Sequence, residues 1–323
     1  METTLLPLVL SLLASALALS VLRALSVVDV PNERSLHRFP VPRGGGVGPA
    51  LAGTVTAAVS PAFGALRPGL LVALAGFALL GLAEDLRGLT VATRLVLQFL
   101  LGVVAMLLLS GGDPAPWALV VGVFWIVGYV NAFNFMDGID GISAVQAVVA
   151  GSTWAWAGWS SGDAGFSAAG AVVALVALGF LPFNFPRARM FLGDVGSYFF
   201  GAWLAAGAVW GIWAGFAPEA VLAPLALYAA DTGATLVRRI QRHEPWLRPH
   251  RDHAYQRLVA AGASHARVDL LVLVVMAGCS LLGLVSLSGT PGPRLAAAAG
   301  IGLLVAWYLA TPRFVESQLA RQE

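Results

Sequence analysis

The stretch PWALVVGVFWIVGYVNAFNFMDGIDG, residues 116–141, joins two kinds of sequence that water-soluble domains keep apart. From Pro116 to Phe133 no charged residue occurs, which is enough chain for a helix of about 27 Å, close to the thickness of a bilayer's hydrocarbon core. The run then meets Asn131, Asn134, Asp137 and Asp140, set three residues apart. On a helix or a helix end, neighbours in such a series share a face. A face rich in acceptors suits a hard cation, hydroxyls or an amide. Asp140 alone could equally be a helix N-cap, but capping does not explain the whole cluster.

The rest of the chain repeats the first half of this pattern. Of 323 residues 58% are hydrophobic and 11% charged, with mean hydropathy +0.81. Soluble domains carry roughly 25% charged residues. Eleven apolar runs can be read, roughly 4–26, 45–63, 69–84, 94–111, 116–133, 141–160, 165–183, 196–214, 219–237, 268–288 and 294–312. The predicted fold is therefore all-α, a polytopic integral membrane protein of about 11 transmembrane helices forming one domain over 1–323. Glycine and alanine within the runs suit close helix packing in lipid. The residues Ala14 to Ala18 look like a cleavage site, but no basic segment precedes them, so a retained first helix is predicted. The single cysteine, Cys279, excludes an internal disulfide framework and a multi-cysteine metal site, and its apolar surroundings predict simple packing.

All 19 basic residues are arginine. With the N-terminus outside and the spans alternating, seventeen fall on inside segments, among them Arg34, Arg38, Arg248 and Arg321. Only Arg67 and Arg294 fall at outside turns. The positive-inside rule then predicts a cytoplasmic C-terminus and an odd number of spans. The outside turns are short and bland, so any chemistry belongs to the cytoplasmic face, in loops 27–46, 84–94, 131–141, 184–197 and 238–267.

Each of those loops offers reactive groups. In the first, Arg43 precedes Gly44, Gly45 and Gly46, a pattern that lets backbone N–H groups and a guanidinium approach an anion. In the second, Glu84 and Asp85 are adjacent carboxylates at the end of an apolar run, costly unless paired or metal-bound. In the fourth, Gly193 and Gly196 flank Asp194, with Asn184 and Phe191 upstream. Phe191 could stack on a base or face lipid. The fifth carries His250, Arg251, Asp252, His253, Tyr255 and Arg257, dense in groups that pair with phosphate. Asp231 lies upstream inside an apolar run, where a carboxylate is by default a functional candidate. Oxygen ligands together with arginines make a toolkit for phosphoryl transfer, which is mostly positioning and charge stabilisation.

Asn131 to Gly141, Phe191 to Ser197 and His250 to Leu258 together resemble the polyprenyl-phosphate N-acetylhexosamine-1-phosphate transferase family, over residues 29 to about 258. The resemblance implies transfer of a sugar-1-phosphate from a UDP-sugar to undecaprenyl or another polyprenyl phosphate, with release of UMP, at the inner membrane's cytoplasmic face. It implies Mg²⁺, with Mn²⁺ as a substitute, held chiefly by Asp194 with Asp85. It makes Asp85, Glu84, Asp137, Asp140, Asn134, His250 and His253 catalytic. It gives substrate contacts to Arg43, Asn131, Asn184, Phe191, Asp231 and Arg251. The family's paired acids are usually two Asp, and here the first is Glu84. The pattern from His250 to Arg257 is similar to the O-antigen-type initiating branch, and pairing as a homodimer is open to such a chain. Nucleic acid is not an expected partner. The rival readings are a membrane transporter, against which the polar groups gather on one face and no inverted repeat is evident, or a non-catalytic scaffold.

Overall fold

Every apolar run is helical. The computed structural model describes residues 5–31, 39–245 and 250–319. It contains α1 (Leu6–Ala24), α2 (Val47–Val59), α3 (Pro61–Arg87), α4 (Val91–Leu109), α5 (Pro116–Met136) and α6 (Ile142–Ser161). There follow α7 (Ala164–Asn184), α8 (Gly193–Trp213), α9 (Pro218–Gln241), the short α10 (Ala254–Ala260), α11 (His265–Val285) and α12 (Pro291–Leu319). Helix α3 is composite, with a 3₁₀ segment at Pro61–Leu66 and a π turn at Val72–Gly76.

Nine of the described helices are long and apolar enough to cross a bilayer, against the eleven predicted. The two that fall short do so for different reasons. Helix α2 has 13 residues, about 20 Å of rise where the hydrocarbon core needs roughly 30 Å. Helix α6 has 20 residues, but Ser143, Gln146, Ser152 and Thr153 dilute its apolar character. The fold is a multi-pass helical membrane protein whose described residues also include a short β ladder. Val28–Asp29 and Val41–Pro42 form an antiparallel two-stranded ladder, pairing Val28 with Pro42 and Asp29 with Val41. Residues 32–38 of that loop, with Arg34 and Arg38, lie outside the described residues, as do Arg248 and Arg321.

Helix α8 is the axis of the bundle, with 94% of its apolar stretch buried. Helices α1, α4 and α12 lie at the periphery, with 22%, 22% and 17% buried, so their Leu, Val and Ile faces are left for lipid to solvate. Lipid removes most of the hydrophobic drive between helices, so packing and interhelical hydrogen bonds hold them. Trp125 donates to the Ala205 carbonyl at 3.1 Å, Trp154 to Val221 at 3.0 Å and Gln146 to Pro224 at 2.8 Å. Ser11 of α1 donates to Val176 of α7 at 2.7 Å. Cys279 is fully buried and free, as its apolar setting predicts. Hydrogen bonds and ion pairs bring the loop after α1, the ends of α3 and α5, the start of α8 and the α9–α11 connection to one end of the bundle.

Candidate active site

The first turn of α8 is the centre of this end. Gly193 takes φ +73°, a conformation glycine adopts without strain, and turns the chain into the helix so that Asp194 lies in its first turn. Helix starts leave N–H groups without intrahelical partners. Asp85, reaching over from α3, accepts two of them, from Asp194 at 3.0 Å and from Val195 at 2.9 Å. The approach needs Gly81, one turn earlier on α3, because any Cβ there would collide with the Asp194 backbone. Asp85, predicted as metal ligand and catalytic group, is thereby engaged as the cap that fixes Asp194.

Arg43 completes the cluster. Its strand segment is clamped to the α8 entrance: the Phe191 N–H donates to the Pro42 carbonyl at 2.7 Å, and the Gly45 N–H to the Phe191 carbonyl at 2.9 Å. Arg43 Nε then pairs with Asp85 at 3.0 Å, and its terminal nitrogen with Asp194 at 3.0 Å. Burial alone would lower the Arg43 value, but Asp194 and Asp85 outweigh it and hold the guanidinium above its ordinary value. Asn134, in the last turn of α5, donates to Asp194 Oδ1 at 2.6 Å and to Ser197 Oγ at 2.9 Å. Asp137 follows directly after α5. Burial raises its carboxyl to about 7, with Asp194 and Asp85 adding and Arg43 opposing. Arg43, Asp85, Asn134, Asp137 and Asp194 thus form one electrostatic unit drawn from four distant segments.

Other predicted residues have different partners. Glu84 points away, pairing with Arg94 at 3.2 Å and accepting the Leu89 N–H at 2.8 Å, so it braces the α3–α4 turn. Asn131 donates to Gln98 at 2.7 Å and to the Val127 carbonyl at 2.8 Å, facing α4 and not the acids. The series at three-residue spacing therefore splits: within α5 a three-residue step leaves Asn131 and Asn134 about 60° apart, and beyond Met136 the helix ends and the chain turns. Asp140 faces His265 of α11 at 3.7 Å, beside Asp269. Asn184 is 4% exposed, accepting from Gly141 at 2.9 Å and donating to Met190 at 3.1 Å, so it staples two loops and is closed to substrate.

Asp231 is also corrected from substrate contact to buried brace. It has no exposed surface, accepts the Ala254 N–H through both oxygens at 3.0 Å and takes the Tyr308 hydroxyl at 2.9 Å. His253, 3% exposed, is the N-cap residue of α10, with Nδ1 3.5 Å from Asp231. Its burial withdraws it from the phosphate-holding role expected of it. His250 is more open, and burial, then His253 and Arg239, lower its value to about 4. It is neutral near pH 7 and offers a hydrogen bond instead of a fixed charge. Arg251 and Phe191 are both partly exposed at this end. Tyr255 ties this loop to the acidic cluster, donating to the Phe135 carbonyl at 3.0 Å, and a side chain at Gly138 would meet its hydroxyl.

The donor set bears on a divalent cation. Three carboxyls, Asp85, Asp137 and Asp194, face one guanidinium, which leaves an excess of negative charge and hard oxygen donors. Among the described residues no three acidic or histidine side chains already converge as a metal cage. Mg²⁺ does not need one, since it usually takes one or two carboxylates plus substrate phosphates and waters. The residues fit that mode.

Sequence reading missed Arg94, Gln98, Ser197 and Tyr308. Ser197 had a signal, three residues beyond Asp194 on one helical face. Tyr308 had none, being 77 residues from the carboxylate it holds.

Comparison with known proteins adds the following. The profile of glycosyl transferase family 4 matches residues 68–212, which holds Asp85, Asn134, Asp137 and Asp194. A probable undecaprenyl-phosphate N-acetylglucosaminyl 1-phosphate transferase of Bacillus subtilis is 27% identical over 274 residues, covering 78% of this chain and 75% of that protein. A decaprenyl-phosphate N-acetylglucosaminephosphotransferase of Mycobacterium leprae is 28% identical over 299 residues, covering 77% and 74%. A phospho-N-acetylmuramoyl-pentapeptide-transferase of Lactococcus lactis is 28% identical over 201 residues, covering 55% and 61%.

Proposed function

We propose that the chain is a member of glycosyl transferase family 4, whose profile matches residues 68–212, and that it transfers an N-acetylhexosamine-1-phosphate from a UDP-sugar to a polyprenyl phosphate at the cytoplasmic face of the inner membrane, opening a cell-envelope polysaccharide. The observation that carries this reading is the Arg43–Asp85–Asp194–Asn134 cluster at the start of α8, on the same end of the bundle as the His250–His253 loop. An oxygen of the acceptor phosphate attacks the β-phosphorus of the donor. The bond from that phosphorus to the bridging oxygen breaks, and UMP leaves with that oxygen. A phosphate monoester has its second pKa near roughly 6 and is largely dianionic at neutral pH. It needs little help from a base, so direct displacement is favoured over an aspartyl intermediate.

Asp194, with Asp137 beside it, would hold Mg²⁺, which when bound supplies charge neutralisation on the phosphates. Asp85 positions Asp194 through the two N–H groups it caps. Arg43 is placed to move from its carboxylate partners onto a phosphate oxygen. Phe191, on the strand edge beside Arg43, is offered as the stacking face for uracil, and Arg251 with neutral His250 as donors to the pyrophosphate. Pairing of two copies as a homodimer belongs to the same reading.

The test is UMP release by purified protein in detergent, with undecaprenyl phosphate, Mg²⁺ and a panel of UDP-sugars. UMP appearing only with lipid, metal and a particular sugar supports the transferase and names its donor. No UMP with any donor, from folded protein, favours a scaffold or transporter.

A further inference from the structure

Beyond α9 the chain builds a second charged cavity that the proposed transfer does not use. It has a volume of about 200 Å³ and is lined by Thr235, Arg238, Arg239, Arg242 and Arg257, with Asp252 and Glu244. Four guanidiniums face two carboxylates. Arg239 pairs with both of them, at 2.9 Å to Glu244 and closely to Asp252. Arg257 forks onto Glu316 of α12 at 2.6 and 3.0 Å. Arg238 donates to the Thr235 hydroxyl at 2.8 Å and to the Asp252 carbonyl at 3.1 Å. The Arg242 side chain makes no hydrogen bond or ion pair among the described residues.

Arginines that serve only the positive-inside bias sit apart in water. Here like charges converge on one enclosed space, an arrangement that an entering anion relieves. The planar guanidinium pairs with phosphate oxygens through two parallel N–H bonds. The helix also says where such a phosphate comes from. Thr235, Arg238, Arg239 and Arg242 fall on one face of α9, whereas Leu236, Val237 and Ile240 are exposed on the opposite face. A helix end of this kind, apolar on one side and cationic on the other, lies where hydrocarbon meets headgroups.

We propose that this cavity binds the phosphate of an anionic membrane lipid, at a site separate from the Arg43–Asp194 cluster. Arg238 and Arg239 both hold Asp252, which stands between His250 and His253. Lipid bound there steadies the loop that carries the two histidines.

The test reads unfolding, not turnover, so it stands apart from the transferase reading. Full-length protein in neutral detergent is melted with phosphatidylglycerol, with phosphatidylcholine or with inorganic phosphate. Phosphatidylglycerol is expected to raise Tm saturably, and phosphatidylcholine to leave it unchanged. Arg242→Gln should raise the half-saturating concentration roughly tenfold, the loss of one charge-assisted contact. Arg242→Lys should keep most of the shift, and Asp194→Asn all of it. A shift equal in wild type and Arg242→Gln, or no shift with either anion, overturns the proposal. Inorganic phosphate reproducing the whole shift overturns the lipid as source.

Discussion

Asp194 receives Arg43 on one oxygen and Asn134 on the other, at the mouth of a helix whose N-terminus favours negative charge. If it holds the metal, Asp194→Asn should lower kcat by roughly 10²–10³-fold or more in folded protein, measured as UMP release. Activity retained at ordinary Mg²⁺ sinks the assignment. Asp85 should behave differently. Asp85→Ala removes a cap, costing about 1 kcal/mol of stability, and lowers kcat because Asp194 loses its anchor. Asp85→Asn keeps one acceptor and should recover part of the melting temperature lost in Asp85→Ala. Burial raises the Asp137 carboxyl to about 7, so this group changes protonation near neutral pH. It binds its proton more tightly folded than unfolded, so stability falls as pH rises from the usual carboxylate range to about 7 and is flat above. Melting temperature against pH in detergent should show that fall in wild type and a shallower one in Asp137→Asn. Identical slopes remove Asp137 from the account.

At the scale of elements, the site depends on how closely α3 approaches α8. Gly81 lies against the Asp194 backbone, and Asp85 sits one turn further on. Gly81→Ala should force the helices apart, costing about 1–3 kcal/mol as overpacking does. Turnover should drop although no polar group has been removed. A variant that melts and turns over like wild type means that α3 can shift without loss, and the capping role of Asp85 then fails. The loop elements obey the same logic. The short ladder at Val28–Asp29 and Val41–Pro42 and the Phe191 hydrogen bond are what aim Arg43 at two carboxylates from a segment otherwise free of helix.

For the whole molecule, orientation is the property that arginine counting predicts. Buried Cys279 makes the wild type a quiet background for thiol labelling. Arg87→Cys, exposed at the end of α3, should label only from the cytoplasmic side in oriented vesicles. Ser161→Cys, exposed at the end of α6, should label only from outside. The reverse pattern inverts the topology and moves the acidic cluster off the face where nucleotide-sugars are made available.

The helical bundle was legible from residue order, because apolar run length is a one-dimensional property and lipid demands helices of it. The residues of the acidic cluster were legible too, since charges at the ends of such runs are conspicuous. What each side chain does was decided by contacts between segments far apart in the chain. Spacing by three put Asn131 and Asp140 with Asn134 and Asp137, but three residues fall about 60° short of a full helical turn, which carries Asn131 round to Gln98, and the turn of the chain after Met136 takes Asp140 to His265. Hydropathy marked Asp231 as a carboxylate in an apolar run without revealing that Ala254 and Tyr308 fill its lone pairs. Adjacent Glu84 and Asp85 read as a pair, yet helical geometry set them about 100° apart, one toward Arg94 and the other onto the start of α8. Sequence fixes which groups lie at a membrane surface; only packing fixes which of them still have a lone pair or a proton to offer.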